Sequence, residues 1–156
     1  MNPLPAILMV DDNPTNLYLL KAMLDHTGVE LVRAGSGAEA LRQTLQRDFA
    51  LILMDVQMPG MDGFETARLI RQRERSSRTP IIFVTAHSPD GAMLLKGYQA
   101  GAVDYLFKPI DTMVLRSKVE VFVALYRNAE LRAEAAAMEA ANRQLEQDLL
   151  TQAELA

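Results

Sequence analysis

Residues 50–55 read Ala-Leu-Ile-Leu-Met-Asp, five apolar residues in unbroken succession and then a carboxylate. Strict alternation would mark a strand wet on one side, whereas a short unbroken run fits a strand buried on both faces, as in a parallel sheet. Four further short, largely apolar stretches stand out as strands: residues 6–10 (AILMV), 29–33 (VELVR), 80–85 (PIIFVT) and 103–107 (VDYLF). Between them apolar side chains recur at three- and four-residue spacing: Leu17, Leu20, Met23 and Leu24; Ala38, Leu41 and Leu45; Phe64, Ala67, Leu69 and Ile70; Met93, Leu94, Gly97 and Tyr98. Each set reads as a helix laying one face on the sheet. Pro14 falls where a first helical turn tolerates it, Gly28 where a helix stops, and Pro80 before a strand.

The order is therefore βαβαβαβαβα. Right-handed crossovers put helices on both faces, and the economical solution is an α/β fold, a flavodoxin-like doubly wound five-stranded parallel sheet of order 2-1-3-4-5. A length of 156 residues allows one such domain, residues 1–126, with a helical extension over residues 127–156. From Asp111 onward there is no Pro or Gly, and one helix is expected from about Asp111 to about Leu150. At ~1.5 Å per residue it spans roughly 60 Å, more than one domain needs, so the excess protrudes.

Read in heptads, Ala124, Leu131, Met138, Leu145 and Gln152 share one seam position, and Val121, Asn128, Ala135, Asn142 and Leu149 the other. Asn at a seam fixes register in parallel pairs, yet Arg127 would face Arg132 and Glu134 would face Glu139 in a parallel homodimer. Homodimerisation through a C-terminal coiled coil and a merely connecting helix both remain open.

Net charge of −4 lacks the basic footprint of a nucleic-acid binder. Zero Cys excludes disulfides, thiolate metal sites and a cysteine nucleophile, and two distant histidines, His26 and His87, make zinc a poor fit. No apolar run approaches the ~20 residues of a membrane span, and MNPLPAILMVDDNP lacks a signal peptide's basic start and long apolar core. A cytoplasmic address and no membrane partner are the expectation.

In an open α/β sheet ligands bind beyond the carboxyl ends of the strands. There the first strand offers Asp11 and Asp12, the third Asp55, the fourth Thr85, and the fifth Lys108. Three carboxylates on one rim repel each other and stay ionised together only around a cation; an all-oxygen donor set suits Mg²⁺. A lysine and a threonine beside them can grip phosphoryl oxygens, so the combined chemistry is phosphoryl transfer.

With these residues in view, ILMVDDNPTN, LILMDVQMPGMDGFE, PIIFVTA and GAVDYLFKPI together resemble the receiver domain of two-component response regulators, in order and over most of the chain. The DDNPTN and MDVQMPGMDG wording is most similar to receivers of hybrid histidine kinases. The resemblance implies that Asp55 accepts a phosphoryl group from a phosphohistidine on a sensor histidine kinase or phosphotransfer protein. It implies that Asp12 ligates Mg²⁺ directly, Asp11 mostly through water, and Asp55 and the carbonyl of Gln57 complete the set. Lys108 would pair with phosphoryl oxygens, Thr85 would hydrogen-bond them after switching, and Tyr105 would turn from exposed to buried. Lys108-Pro109 would be a cis bond, and Gln57 and His87 would flank the attacking water and tune phosphoryl lifetime. The readout surface would be the helix around residues 93–100, strand five and the start of the last helix.

The module would not be an enzyme beyond its own phosphorylation and autodephosphorylation. The alternative is a phosphohydrolase resembling the haloacid dehalogenase family, which also uses a strand-end Asp. That chemistry needs a second Asp two residues on, where this chain has Gln57. The run Arg68, Arg71, Arg73, Arg75 and Arg78 reads as a solvated helix end or, otherwise, as a docking patch for an acidic partner.

Overall fold

The computed structural model describes residues 3–86 and 90–155. The expected alternation is present: β1 Ala6–Val10, α1 Pro14–Leu24, β2 Glu30–Ala34, α2 Gly37–Gln46, β3 Leu51–Asp55, α3 Gly63–Gln72, β4 Ile81–Thr85, α4 Gly91–Gln99, β5 Asp104–Phe107 and α5 Thr112–Leu155. All pairings are parallel, in the order β2-β1-β3-β4-β5. The fold is the flavodoxin-like one expected, with the long C-terminal helix. The last helix begins one residue later than expected and continues to Leu155.

Side chains from alternate strand positions build two cores, which is why the three central strands β1, β3 and β4 are buried throughout and almost wholly apolar, whereas the edge strands β2 and β5 carry Glu30, Arg33 and Asp104. Ile7, Met9, Leu53, Ile82 and Val84 pack with Leu17, Leu20 and Leu24 of α1 and Leu115, Val119 and Val123 of α5. Leu8, Val10, Ile52, Met54 and Phe83 meet Ala40, Phe64, Ala67 and Ile70 on the other side. Helix starts are set by side-chain caps: Asn13, Ser36, Asp62 and Asp90 each accept a backbone N–H of the first turn. The chain divides into two units after Val123.

The arginine run is a solvated helix end only in part: Arg68, Arg75 and Arg78 are exposed, whereas Arg71 and Arg73 are partly buried. Arg71 is half-buried and donates to the carbonyls of Gly101 (2.6 Å) and of the loop before β4, Ser76 and Ser77 included. Burial lowers its guanidinium pKa. Arg73 donates to Leu41 O, and Arg75 pairs with Asp48. Arg71 thereby satisfies carbonyls of the α3–β4 and α4–β5 connections, while Arg73 and Arg75 tie the end of α3 to α2 and the loop after it.

Gly63 opens α3 directly under the end of β3. A Cβ there would lie 2.2 Å from Asp55 O and 2.9 Å from Val56 Cα, while its N–H donates to Val56 O at 2.8 Å. Because the obstructing atoms are backbone, Gly63→Ala is expected to destabilise the fold by more than ~2 kcal/mol in urea denaturation. Gly91→Ala, with nothing within 4 Å of its added Cβ, is expected to be neutral or stabilising by up to ~1 kcal/mol.

Candidate functional site

The rim at the carboxyl ends of β1, β3, β4 and β5 gathers the expected side chains. Asp11 and Asp12 follow β1, Asp55 ends β3, Thr85 ends β4, and Lys108 follows β5. Carboxylate oxygens of Asp11, Asp12 and Asp55 all lie within 4.8 Å of one another. Lys108 Nζ sits 3.4 Å from Asp11 Oδ2 and 3.8 Å from Asp55 Oδ1. Asp11 and Asp55 are buried, at 2% and 8% exposure, while Asp12 faces solvent.

The backbone holds this geometry. Asp11 Oδ1 accepts Asn13 N–H at 2.9 Å, fixing the turn into α1. Val84 O accepts Val56 N–H at 3.3 Å, joining the end of β3 to β4, and Thr85 O accepts Lys108 N–H at 2.8 Å, joining β4 to the segment that carries the lysine. The Lys108-Pro109 bond is cis, as the resemblance implied. Thr85 is buried, and Gln57 is exposed on the loop after β3. His87 lies outside the described residues.

Electrostatics single out Asp55. Desolvation first, then the charge of Asp11, pushes its carboxyl up to about 6; Lys108 opposes the rise, and Asp12 adds to it. One ammonium does not neutralise three carboxylates, so the donor set fits a hard divalent cation by its all-oxygen chemistry and its excess of negative charge.

Tyr105 is buried, at 6% exposure, and its hydroxyl donates to Met93 O of α4 at 2.9 Å. Burial raises its pKa, and Tyr98 adds to this. Gly97 makes the position available, since a Cβ there would stand 1.8 Å from Tyr105 Oη. That role of Gly97 was not anticipated, although a glycine inside a helical pattern is a signal for close approach. The Lys118–Asp104 ion pair, linking α5 to β5, was also missed; its partners are too far apart in sequence to be read together.

A doubly wound sheet whose rim combines an acidic trio, a threonine and a lysine is the arrangement of a phosphoryl-accepting signalling module. The comparisons agree: the family model for the response regulator receiver domain matches residues 7–120, and the chain belongs to that family. It is 44% identical over 106 residues to the signal transduction histidine-protein kinase BarA of Escherichia coli K12, covering 68% of this chain but 11% of that protein. It is 35% identical over 118 residues to protein PilH of Pseudomonas aeruginosa, covering 76% of this chain and 97% of PilH. The receiver domain of sensor histidine kinase PA1611 from Pseudomonas aeruginosa, solved with a magnesium ion coordinated in its active-site cleft, superposes with a TM-score of 0.71. It is 34% identical, covering 78% of this chain and 99% of that one. The chain thus spans about a tenth of the length of kinases such as BarA and nearly all of PilH. Among the described residues no helix is long and apolar enough to cross a membrane.

Asp55 supplies a signed pH dependence. Its folded pKa of about 6 exceeds the ordinary 3.8, so the folded state holds the extra proton between those values. Stability of the metal-free protein therefore falls as pH rises through that window, by up to about 3 kcal/mol. Asp55→Asn removes the penalty: it is expected to stabilise the metal-free protein at pH 7.5 and to change little at pH 4. Thermal unfolding in chelator at both pH values reads the difference.

Proposed function

We propose that residues 1–126 form a phosphorylation-switched receiver whose acceptor is Asp55, acting in the cytoplasm on a phosphohistidine of a sensor histidine kinase or phosphotransfer protein. The observation that carries this reading is the meeting of the Asp11, Asp12 and Asp55 carboxylates within 4.8 Å, with Lys108 Nζ reaching two of them. An Asp55 oxygen attacks the phosphorus; the bond from phosphorus to the imidazole nitrogen breaks, its electron pair leaves with the imidazole, and an acyl phosphate remains on Asp55. Asp11, Asp12, Asp55 and the Gln57 carbonyl would hold Mg²⁺. When bound, Mg²⁺ supplies positive charge against the phosphoryl oxygens.

Lys108 remains to offset the added charge, because phosphorylation replaces one negative charge with roughly two at a fixed point. Thr85 then donates to a phosphoryl oxygen. Tyr105 serves as the switch residue with it, and Gln57 and His87 set the lifetime of the acyl phosphate against water. Catalysis is confined to the chain's own phosphorylation and dephosphorylation. With Gln57 where a hydrolase would place its second Asp, the phosphohydrolase reading lacks its general acid. Partners are the phosphodonor protein and, through the C-terminal helix, a second copy of the chain, with no nucleic acid.

Incubation with acetyl phosphate and Mg²⁺, followed by intact-mass measurement, is expected to add one phosphoryl group to the wild type and none to Asp55→Ala or to wild type in chelator. No gain in mass with several small donors would overturn the assignment. Gly97→Ala is expected to expel the Tyr105 ring from its buried site, returning its hydroxyl toward the ordinary pKa of 10.0. A pH titration of ring-labelled tyrosine by NMR checks this.

A further inference from the structure

The unit Ala124–Ala156 is helical through Leu155 and carries an exposed apolar line: Leu131, Met138, Leu145 and Leu149 are 57%, 67%, 58% and 57% exposed. Long helices in water draw most of their stability from burying such a face. The line follows a heptad, with Asn128, Ala135, Asn142 and Leu149 at a and Ala124, Leu131, Met138 and Leu145 at d. A second copy of the same helix fits it, and the flanking charges choose its direction.

Position g holds Arg127, Glu134 and Asp148; position e holds Arg132, Glu139 and Glu146. In a parallel pair g faces the following e of the other copy. Arg127 then meets Arg132 and Glu134 meets Glu139, each twice by symmetry, giving four like-charge contacts. An antiparallel pair brings e against e and g against g. Centred between Ala136 and Ala137, it sets Arg132 against Glu139 and Arg127 against Asp148, again each twice, giving four opposite-charge contacts and no like pair. Sliding one heptad one way brings Glu139 onto its own copy; sliding the other way does so for Arg132. The central register pairs both Arg127 and Arg132 with acidic residues and sets no like charges together, while Glu134 and Glu146 face the uncharged Ala141 and Leu125.

We propose that two copies pair antiparallel through this helix, with Ala135 opposite Met138, Leu131 opposite Asn142, Asn128 opposite Leu145 and Ala124 opposite Leu149. The proposal rests on the pairing of copies named above and adds its direction and register. Asn128 and Asn142 lose the amide partners a parallel pair would give them, but their amides sit at a two-stranded seam, beside water.

The chain has no Cys, so introduced thiols report contacts cleanly. In the 156-residue chain, light scattering is expected to show a dimer at micromolar concentration. Arg132→Glu is expected to weaken it about tenfold, because two attractive contacts become repulsive, and Arg132→Glu with Glu139→Arg to restore it. In a parallel pair the single change would instead tighten the dimer by removing the Arg127 clash. On oxidation, a mixture of Leu131→Cys and Asn142→Cys chains is expected to cross-link to each other. Leu131→Cys alone is not, since its two copies lie ~16 Å apart along the axis, beyond the ~7 Å Cα limit of a disulfide. A monomer at every concentration overturns the pairing itself. Self-cross-linking of Leu131→Cys, or tightening by Arg132→Glu, overturns the direction and leaves the pairing standing.

Discussion

Mutual repulsion among three carboxylates on one rim is the constraint around which the receiver unit is organised. Burial makes it severe: Asp55 is pushed up to about 6 chiefly by desolvation and next by Asp11, even with Lys108 3.8 Å away. Unfolding would relieve that repulsion, so the sheet must hold the carboxylates together against it. The continuous apolar strands do so from both faces, with Met54 in one core and Leu53 in the other immediately before Asp55. A divalent cation relieves the same repulsion and leaves an acceptor oxygen beside a positive charge. Stability and chemistry therefore pull on Asp55 in opposite directions, as is common where a site stores unfavourable electrostatics.

The sheet was legible because its signals are local. Runs such as AILMV and LILMD differ from amphipathic segments within a few residues, and Pro14, Gly28 and Pro80 punctuate them. The rim followed from topology, since residues after parallel strands share one edge, and the structure brings Asp11, Asp12, Asp55 and Lys108 together there. Strand limits moved by only a residue, as where residues 29–33 became Glu30–Ala34.

What escaped reading depends on approach between segments distant in the chain. Arg71 looked like one member of a solvated run, but it anchors Gly101 O thirty residues away. Neither partner carries a sequence mark, because any carbonyl accepts and only the folded path brings this one within reach. Gly63 and Gly97 belong to the same class. Each lies at a contact where a single methyl would strike, in one case, the carbonyl of Asp55 and, in the other, the hydroxyl of Tyr105. Pattern reading finds such glycines as oddities inside helices, and it cannot say what they approach.

These close contacts also give the rim a physical route outward. Thr85 pairs in register with Phe107, its carbonyl holds Lys108 N–H, and Phe83 two pairs earlier stands opposite Tyr105. The displacement of the β4 end that the proposed switch requires would therefore strain the β5 end as well. The Tyr105 ring lies 5.7 Å from that of Phe83, and its hydroxyl binds Met93 O, so β5 and α4 share the strain through one side chain. Gly97 limits how that side chain can respond: with no Cβ at this position the ring is accommodated inward, and with one it is not. Closely packed interiors pass such displacements on because they lack empty volume in which to absorb them. On the function proposed above, the α4–β5 surface is mechanically the nearest readout of charge added at Asp55, for reasons that lie in register, one hydrogen bond and one missing methyl group.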